Sequence, residues 1–336
     1  MTWFEEITGI EEVSPEQVRR ELAIDQDCIV CPNGSRIAFG LLEKPRLSEL
    51  RSAVGAIDAP RGKASIREVV GDVRQLHADP ENANALFQVA SQFNLLEMTG
   101  PSVTPERGVG IYEHDHTQGP TCAIACGAGT IYRNYFAPII DASGQTLIGQ
   151  SARQQIDCAA DLGNSLGNSN YKLWSMENGY LFPTDKGLEQ ITTYLQEASD
   201  TEVDDLMGQL RIGLQWNAEV TLPNAAHRVS QAYCSALPVA YGRQPPEAWT
   251  NFAKLILDSA YEATICAAIL NASRTGVHTV FLTLLGGGVF GNRDEWITTA
   301  IERAFTKYCH HDLDIAVVSY GTSKPLVSDL VARCSG

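Results

Sequence analysis

No stretch of about 18 consecutive apolar residues occurs in the chain, so no segment announces itself as a membrane-spanning helix. The N-terminus carries Glu5 and Glu6 and lacks the apolar core of a cleavable export signal. The expected location is therefore cytoplasmic, or secreted without a cleavable signal peptide. Basic residues are scarce: 25 Lys and Arg stand against 40 Asp and Glu, a net charge of −15. A duplex nucleic-acid binder needs a basic footprint, and an anionic membrane surface repels such a chain, so neither partner is expected. The one Cys-x-x-C pair, Cys28 and Cys31, has no second pair at zinc-finger spacing. The nine cysteines are odd in number, and Cys158, Cys234 and Cys266 lie in apolar stretches, which reads as reduced, buried thiols. Neither a metal centre nor a bound cofactor is expected. No G-x-G-x-x-G follows the first clear strand, which ranks a Rossmann-type oxidoreductase last.

What is present suffices for a large core: 336 residues, 44% of them hydrophobic. Ser14-Pro15-Glu16 opens a short helix to about Ala23, with serine at the cap and proline in the first turn. Asn33-Gly34 between Asp27–Cys31 and Arg36–Leu41 is a hairpin signal, and a helix is expected over 45–56. Apolar strands are expected over 65–70, 84–91, 210–216, 229–237, 279–285 and 314–319. Residues 130–137 read as a strand with polar interruptions, and 151–162 as an amphipathic helix followed by a Gly/Asn/Ser-rich turn over 163–170. Thr184 caps a helix to about Glu197. Trp249, Phe252, Leu255, Ile256, Ala260, Ala263, Ala267 and Leu270 recur at three and four, one face of a long helix. Trp296, Ile297, Ala300, Ile301, Ala304 and Phe305 form another such stripe. Helices alternating with near-continuous apolar strands predict a mixed, mostly parallel sheet covered on both faces.

Gly286, Gly287, Gly288, Val289, Phe290 and Gly291 end the apolar strand at 279–285. Few Cβ atoms there let backbone N–H groups approach an anion such as a phosphate. The helix that follows adds a favourable field. A tight strand-to-helix connection would call for the same glycines, so the loop alone does not decide. Two other strand ends carry polar groups. Gly71-Asp72-Val73 puts a carboxylate at a sheet edge, where it can accept from an exocyclic amine. Phe87 to Asn94 ends in amide side chains suited to sugar hydroxyls.

Gly71-Asp72-Val73, then Val89-Ala90-Ser91-Gln92, then Gly286-Gly287-Gly288-Val289-Phe290-Gly291, in that order, resembles a macrodomain. Ala260-Tyr261-Glu262 on the preceding helix and Asp314-Ile315-Ala316-Val317-Val318 on the last strand extend the likeness, which covers 65 to about 320. The family's Asn-Ala-Ala-Asn, its following Gly-Gly-Gly-Val and the Gln-Glu-Glu of poly(ADP-ribose) glycohydrolases are all replaced. The resemblance is thus to a divergent branch, nearer those glycohydrolases in size. It implies a three-layer α/β/α sandwich with a helical and hairpin extension over 1–60 packed on an ADP-ribose-binding domain over 61–336. It further implies that Asp72 contacts the adenine amine, with Val73 packed beside it. The loop Gly286–Gly291 would wrap the diphosphate, Phe290 would stack near the distal ribose, and Gln92 or Asn94 would face that ribose. ADP-ribose and ADP-ribosylated protein are the expected partners. Ubiquitin is one target the resemblance admits, since some divergent macrodomains act on it.

The segment Glu106–Gly119 concentrates acids where the distal ribose would lie. Cleavage of a ribosyl bond passes through an oxocarbenium-like state that one carboxyl group can assist as an acid and another can stabilise. The candidates, in order, are Asp115, Glu106 and Glu113. Gly127–Phe136, with two glycines ahead of Tyr132, Arg133, Asn134 and Tyr135, lines either a nucleotide pocket or the core. In the first case Arg133 would pair with a phosphate or a carboxylate. The expected activity is hydrolysis at the distal ribose. The alternative is a non-catalytic ADP-ribose reader, which needs Asp72 and the glycine loop but no loop acids.

Overall fold

The computed structural model describes residues 1–57, 62–140 and 144–335. The boundary expected between 60 and 61 lies outside the described residues. The central sheet has seven strands: β1 (Leu41–Glu43), β2 (Ser65–Val70), β3 (Leu86–Ala90), β4 (Gly213–Glu219), β5 (Arg228–Cys234), β6 (Thr279–Leu282) and β7 (Asp314–Ser319). Their order is β1-β4-β5-β3-β6-β7-β2. The block from β5 to β2 is parallel, and β4 and β1 are added antiparallel at one edge. Helices cover both faces. On one side lie α1 (Leu47–Ala56), the long α5 (Thr250–Thr275), α6 (Asp294–Tyr308) and α7 (Pro325–Ser335), together with helices Asp185–Glu197 and Asp200–Met207. On the other lie α2 (Val73–Ala78), α3 (Gln118–Ala125) and α4 (Gly127–Tyr135). This is the α/β sandwich with a mixed, mostly parallel sheet that the alternation of patterns predicts.

The inner parallel strands are largely apolar because both faces are covered: Leu86, Phe87 and Val89 of β3 are buried, with the polar Gln88 among them, whereas the edge strand β2 is part-exposed. α5 has the length and composition to cross a membrane, yet 94% of its most apolar window is enclosed by the protein. Its wall-to-wall burial places one acid, Glu262, in the interior. Arg51 of α1 grips it with both arms at 2.6 and 2.9 Å, and Arg303 and Lys307 of α6 reach it at 2.7 and 2.6 Å. Burial opposes the charge, but these partners win and hold the carboxyl down at about 2. Glu262, which the resemblance draws into the family pattern, thus ties α1, α5 and α6 together on the side of the sheet away from α2, α3 and α4.

The first forty-odd residues are woven into the domain. β1 is the edge strand of the central sheet, and a second core forms where Phe4, Ile10, Val18 and Ile29 pack on Ala128, Ile131 and Tyr135 of α4. That core accounts for the largest departure from the pattern expected of the sequence. A strand is expected over 130–137, but Gly127–Tyr135 is a helix. Ala128, Ile131 and Tyr135 face the second core, while Thr130, Arg133 and Asn134 are also fully enclosed. The polar interruptions are inward-facing helical positions, not alternating strand positions. The helix expected over 151–162 is confined to Ala160–Leu166, which takes up part of the turn expected over 163–170. A hairpin of Trp174–Glu177 and Tyr180–Pro183, not among the expected strands, closes on Asn178 and Gly179, both left-handed.

Candidate active site

β2, β3, β6 and β7 are parallel, so their carboxyl ends share one edge of the sheet. There the sheet splits. β6 pairs with β3 only through Leu86 and Phe87, and the next polar groups of β3 are taken by Gln118 at the start of α3. The Gln118 amide accepts from the Ala90 N–H at 2.8 Å and donates to the Gln88 carbonyl at 2.8 Å. Gly119 makes this docking possible, since a Cβ there would sit 1.9 Å from the Ala90 carbonyl oxygen. The cleft lies over the split. It consists of two hollows, of about 720 and 340 Å³, that share Asp115, Thr117, Gln118, Thr283, Leu284 and Gly288 as walls.

Asp72 and Val73 line the larger, outer hollow with Arg74, Tyr320 and Lys324. One Asp72 oxygen caps α2 by accepting from the Arg74 N–H at 2.8 Å, which leaves the second oxygen for a ligand. Met1, Trp3 and Glu6 form the opposite wall.

The glycine loop runs between the hollows, and its glycines divide by role. Gly286 and Gly291 have φ of 74° and 70°, and a Cβ on Gly286 would collide with Ala236 and Asn292. They shape the turn. Gly288 meets nothing within 4 Å and borders both hollows. The N–H groups of Gly288, Val289 and Phe290 donate to no group among the described residues. Consecutive free amides are a ready anion site. The helix end behind them is already served, because Asp294 and Glu295 occupy the first turn of α6. The amides, with Arg74 and Lys324, therefore remain to meet a phosphate.

The inner hollow is closed by Tyr180, Tyr241 and Phe290, whose ring centroids lie 5.4 to 5.8 Å apart. Its floor holds Glu97, a residue outside the candidates read from the sequence. Glu97 is 1% exposed, and neither of its carboxyl oxygens has a hydrogen-bond partner among the described residues. Burial pushes its pKa up to about 8, and the Arg133 guanidinium, 3.7 Å away, offsets only part of that. At neutral pH Glu97 is a carboxylic acid with a proton to give. The one signal for it in the sequence is an acid inside the apolar run Phe93-Asn94-Leu95-Leu96-Glu97-Met98, just past a strand end.

The other candidates separate clearly. Asp115 borders both hollows, half-buried, and accepts from the Thr117 N–H at 2.9 Å. Glu113 lines the outer hollow, where it accepts from the Trp3 N–H at 3.2 Å. Glu106 faces away from the cleft and accepts from the Ala152 N–H at 2.8 Å. Gln92 reaches the inner hollow, but its amide is spent on the Met98 backbone at 2.9 and 3.2 Å. Asn94 lies outside both hollows; its side chain accepts from the Leu96 N–H at 3.1 Å and donates to Gln155 at 2.9 Å. Arg133 does not reach a phosphate position. It is fully enclosed, donates to the Leu95 carbonyl at 2.8 Å, and stacks on Tyr233 at 3.6 Å. Cys122 and Cys126 are buried, which pushes both thiols well above their ordinary pKa and leaves no thiolate for nucleophilic attack. The acid-bearing loop is held from beneath by Glu12, which accepts from the Val109 and Gly110 N–H groups at 2.8 and 2.7 Å and from the Tyr135 hydroxyl at 2.6 Å.

No protein-family model matches the sequence, and no curated protein matches it. Among solved structures the chain is similar to bacterial poly(ADP-ribose) glycohydrolases. The enzyme from Thermomonospora curvata is 12% identical with a TM-score of 0.43, over 95% of this chain and 96% of the other. The same enzyme bound to the inhibitor ADP-HPD gives a TM-score of 0.40 at 12% identity over the same shares. The Deinococcus radiodurans enzyme in complex with ADP-ribose gives 0.41 at 10% identity, over 87% of this chain and 92% of the other. Superpositions this loose leave the functional reading to the site itself.

Proposed function

We propose that the chain binds ADP-ribose along the cleft and hydrolyses the glycosidic bond at its distal ribose, releasing ADP-ribose from an ADP-ribosylated protein. The observation that carries the reading is the sequence of groups along the cleft. A carboxylate at a strand end, Asp72, comes first. A row of three unpaired backbone amides, Gly288 to Phe290, stands next. A buried acid whose oxygens have no hydrogen-bond partner among the described residues, Glu97, comes last. These match, in order, an adenine amine, a diphosphate and an anomeric centre, as the macrodomain-like motifs imply. Glu97, with its raised pKa, is the acid available to the leaving atom. Asp115, at the junction of the hollows, is the carboxylate for orienting the attacking water.

A non-catalytic reader would need only Asp72 and the amides. Glu97 favours chemistry, because a buried carboxyl whose oxygens lack hydrogen-bond partners costs stability and serves no binding role in a reader. The test is calorimetry with ADP-ribose beside chromatographic assay of its release from mono-ADP-ribosylated protein. Micromolar binding with release that is lost in Glu97→Gln and Asp115→Asn supports the hydrolase. Binding without release supports the reader, and absence of binding overturns both.

A further inference from the structure

Granted the hydrolase reading of the cleft, on which this inference rests, the inner hollow also constrains the leaving group. Its walls include two acids, Glu97 and Asp115, and no lysine, arginine or histidine. The nearest cation among the described residues, Arg133, lies beneath the floor: it is fully enclosed, 3.7 Å from Glu97, bonded to Leu95 and Thr130 and stacked on Tyr233, and does not line the hollow. Three aromatic rings, Tyr180, Tyr241 and Phe290, stand against each other at the same place. Both Glu97 oxygens lack a hydrogen-bond partner among the described residues.

A polymer of ADP-ribose continues past the scissile bond into further phosphates, which this chamber would meet with the Asp115 carboxylate and no lining cation. A planar cation is suited to the same surroundings. Its face can lie on an aromatic ring and its N–H groups or charge can answer the carboxyl groups. We infer that the leaving group is a planar, positively charged nitrogen group, so that the chain cleaves N-glycosides of ADP-ribose in preference to O-linked polymer.

Two sources share that chemistry, a guanidinium of an arginine side chain and a pyridinium ring of a dinucleotide. In both, the bond from the anomeric carbon to nitrogen breaks with its electron pair going to nitrogen, which discharges the cation. Water oxygen bonds to the anomeric carbon, and Asp115 takes the water proton. A guanidine leaving group takes the Glu97 proton and departs as guanidinium, and the water proton held by Asp115 replaces it by way of solvent, so no net proton is released. A pyridine departs neutral, and one proton appears in solution per turnover.

The experiment compares the full chain on arginine-linked ADP-ribose, on a dinucleotide carrying pyridinium at the distal ribose, and on poly(ADP-ribose). ADP-ribose affinity is measured in parallel. The expected result is cleavage of at least one cationic N-glycoside, about a hundredfold or more faster than the polymer. A pH-indicator trace tells the two sources apart. Tyr241 sits on a surface turn, 40% exposed, and a thermal melt checks the fold of the Tyr241→Ala variant. That substitution should lower kcat/KM for the cationic substrate by about tenfold while leaving the ADP-ribose Kd within about threefold. Polymer cleaved as fast as the N-glycosides, or Tyr241→Ala slowing both equally, overturns this inference and leaves the hydrolase reading standing. ADP-ribose binding with no turnover of any of the three overturns both, and failure to bind ADP-ribose overturns the site itself.

Discussion

Replacing Glu97 by glutamine keeps the size of the side chain and removes its titration. In the folded protein the carboxyl holds its proton up to about pH 8, against an ordinary value of 4.5. The unfolded chain releases that proton near 4.5, so between the two values the folded state binds more protons. Stability must therefore fall as pH rises through this window, with a limiting slope of about 1.4 kcal/mol per pH unit. Below 4.5 the contribution vanishes, and above 8 the whole penalty is present, on the order of 5 kcal/mol for this 1%-exposed group. Glu97→Gln abolishes the slope. Urea denaturation of both proteins at several pH values between about 5 and 8 should give curves that diverge, with the variant gaining on the parent by roughly 1 kcal/mol per unit. Parallel curves would mean that the carboxyl is solvated and ionised at neutral pH, and the assignment of Glu97 as the acid would fall with that result. In the same preparation, hydrolysis by the variant should drop by about a hundredfold or more.

Asp115→Asn should lower turnover by about a hundredfold or more in a single-turnover assay, while calorimetry finds the ADP-ribose Kd within about threefold of the parent. Asp72→Ala should weaken ADP-ribose by about tenfold and cost about 1 kcal/mol of stability through the lost cap on α2, read by calorimetry and thermal melting. Gly119→Ala should destabilise by about 2 kcal/mol or more, because the new Cβ meets the Ala90 carbonyl oxygen at 1.9 Å and lifts α3 from β3. Glu262→Gln should cost about 3 kcal/mol or more, since it leaves Arg51, Arg303 and Lys307 facing a neutral group, and should not change the ADP-ribose Kd. With its pKa held down at about 2, Glu262 stabilises fully above 4.5 and loses that contribution as pH falls towards 2, so the gap between parent and variant should close over that range.

The inner parallel strands are legible in the sequence because they are buried on both faces and read as short apolar runs. The limits expected for 314–319 coincide with β7, and those for 65–70 with the part-exposed edge strand β2. The stripes of α5 and α6 are legible for the complementary reason, a 3.6-residue period over many turns. α4 is not, because it is enclosed by two cores at once and has no solvent face to reveal its period. The hairpin Trp174–Pro183 does carry a local signal, Asn178-Gly179 between apolar runs. At the cleft, the glycine loop and Asp72 are visible as strand ends, and chain order brings them to one edge of the sheet. Glu97 is overshadowed by the loop that carries Glu106, Glu113 and Asp115, none of which is fully buried. A single acid set in an apolar run is the rarer and more informative pattern. The place of Arg133 follows from its helix: on a strand it would have had a face to the cleft, and on α4 it lies beneath Glu97.

Everything proposed for the site requires that one ligand span the cleft from Asp72 to Glu97. A crystal structure of the full chain soaked with ADP-ribose tests this most directly. The adenine amine is expected on Asp72, the diphosphate oxygens on the N–H groups of Gly288, Val289 and Phe290, and the distal anomeric carbon within reach of Glu97 and Asp115. A diphosphate bound away from those amides, or a distal ribose pointing out of the chamber of Tyr180, Tyr241 and Phe290, would refute it.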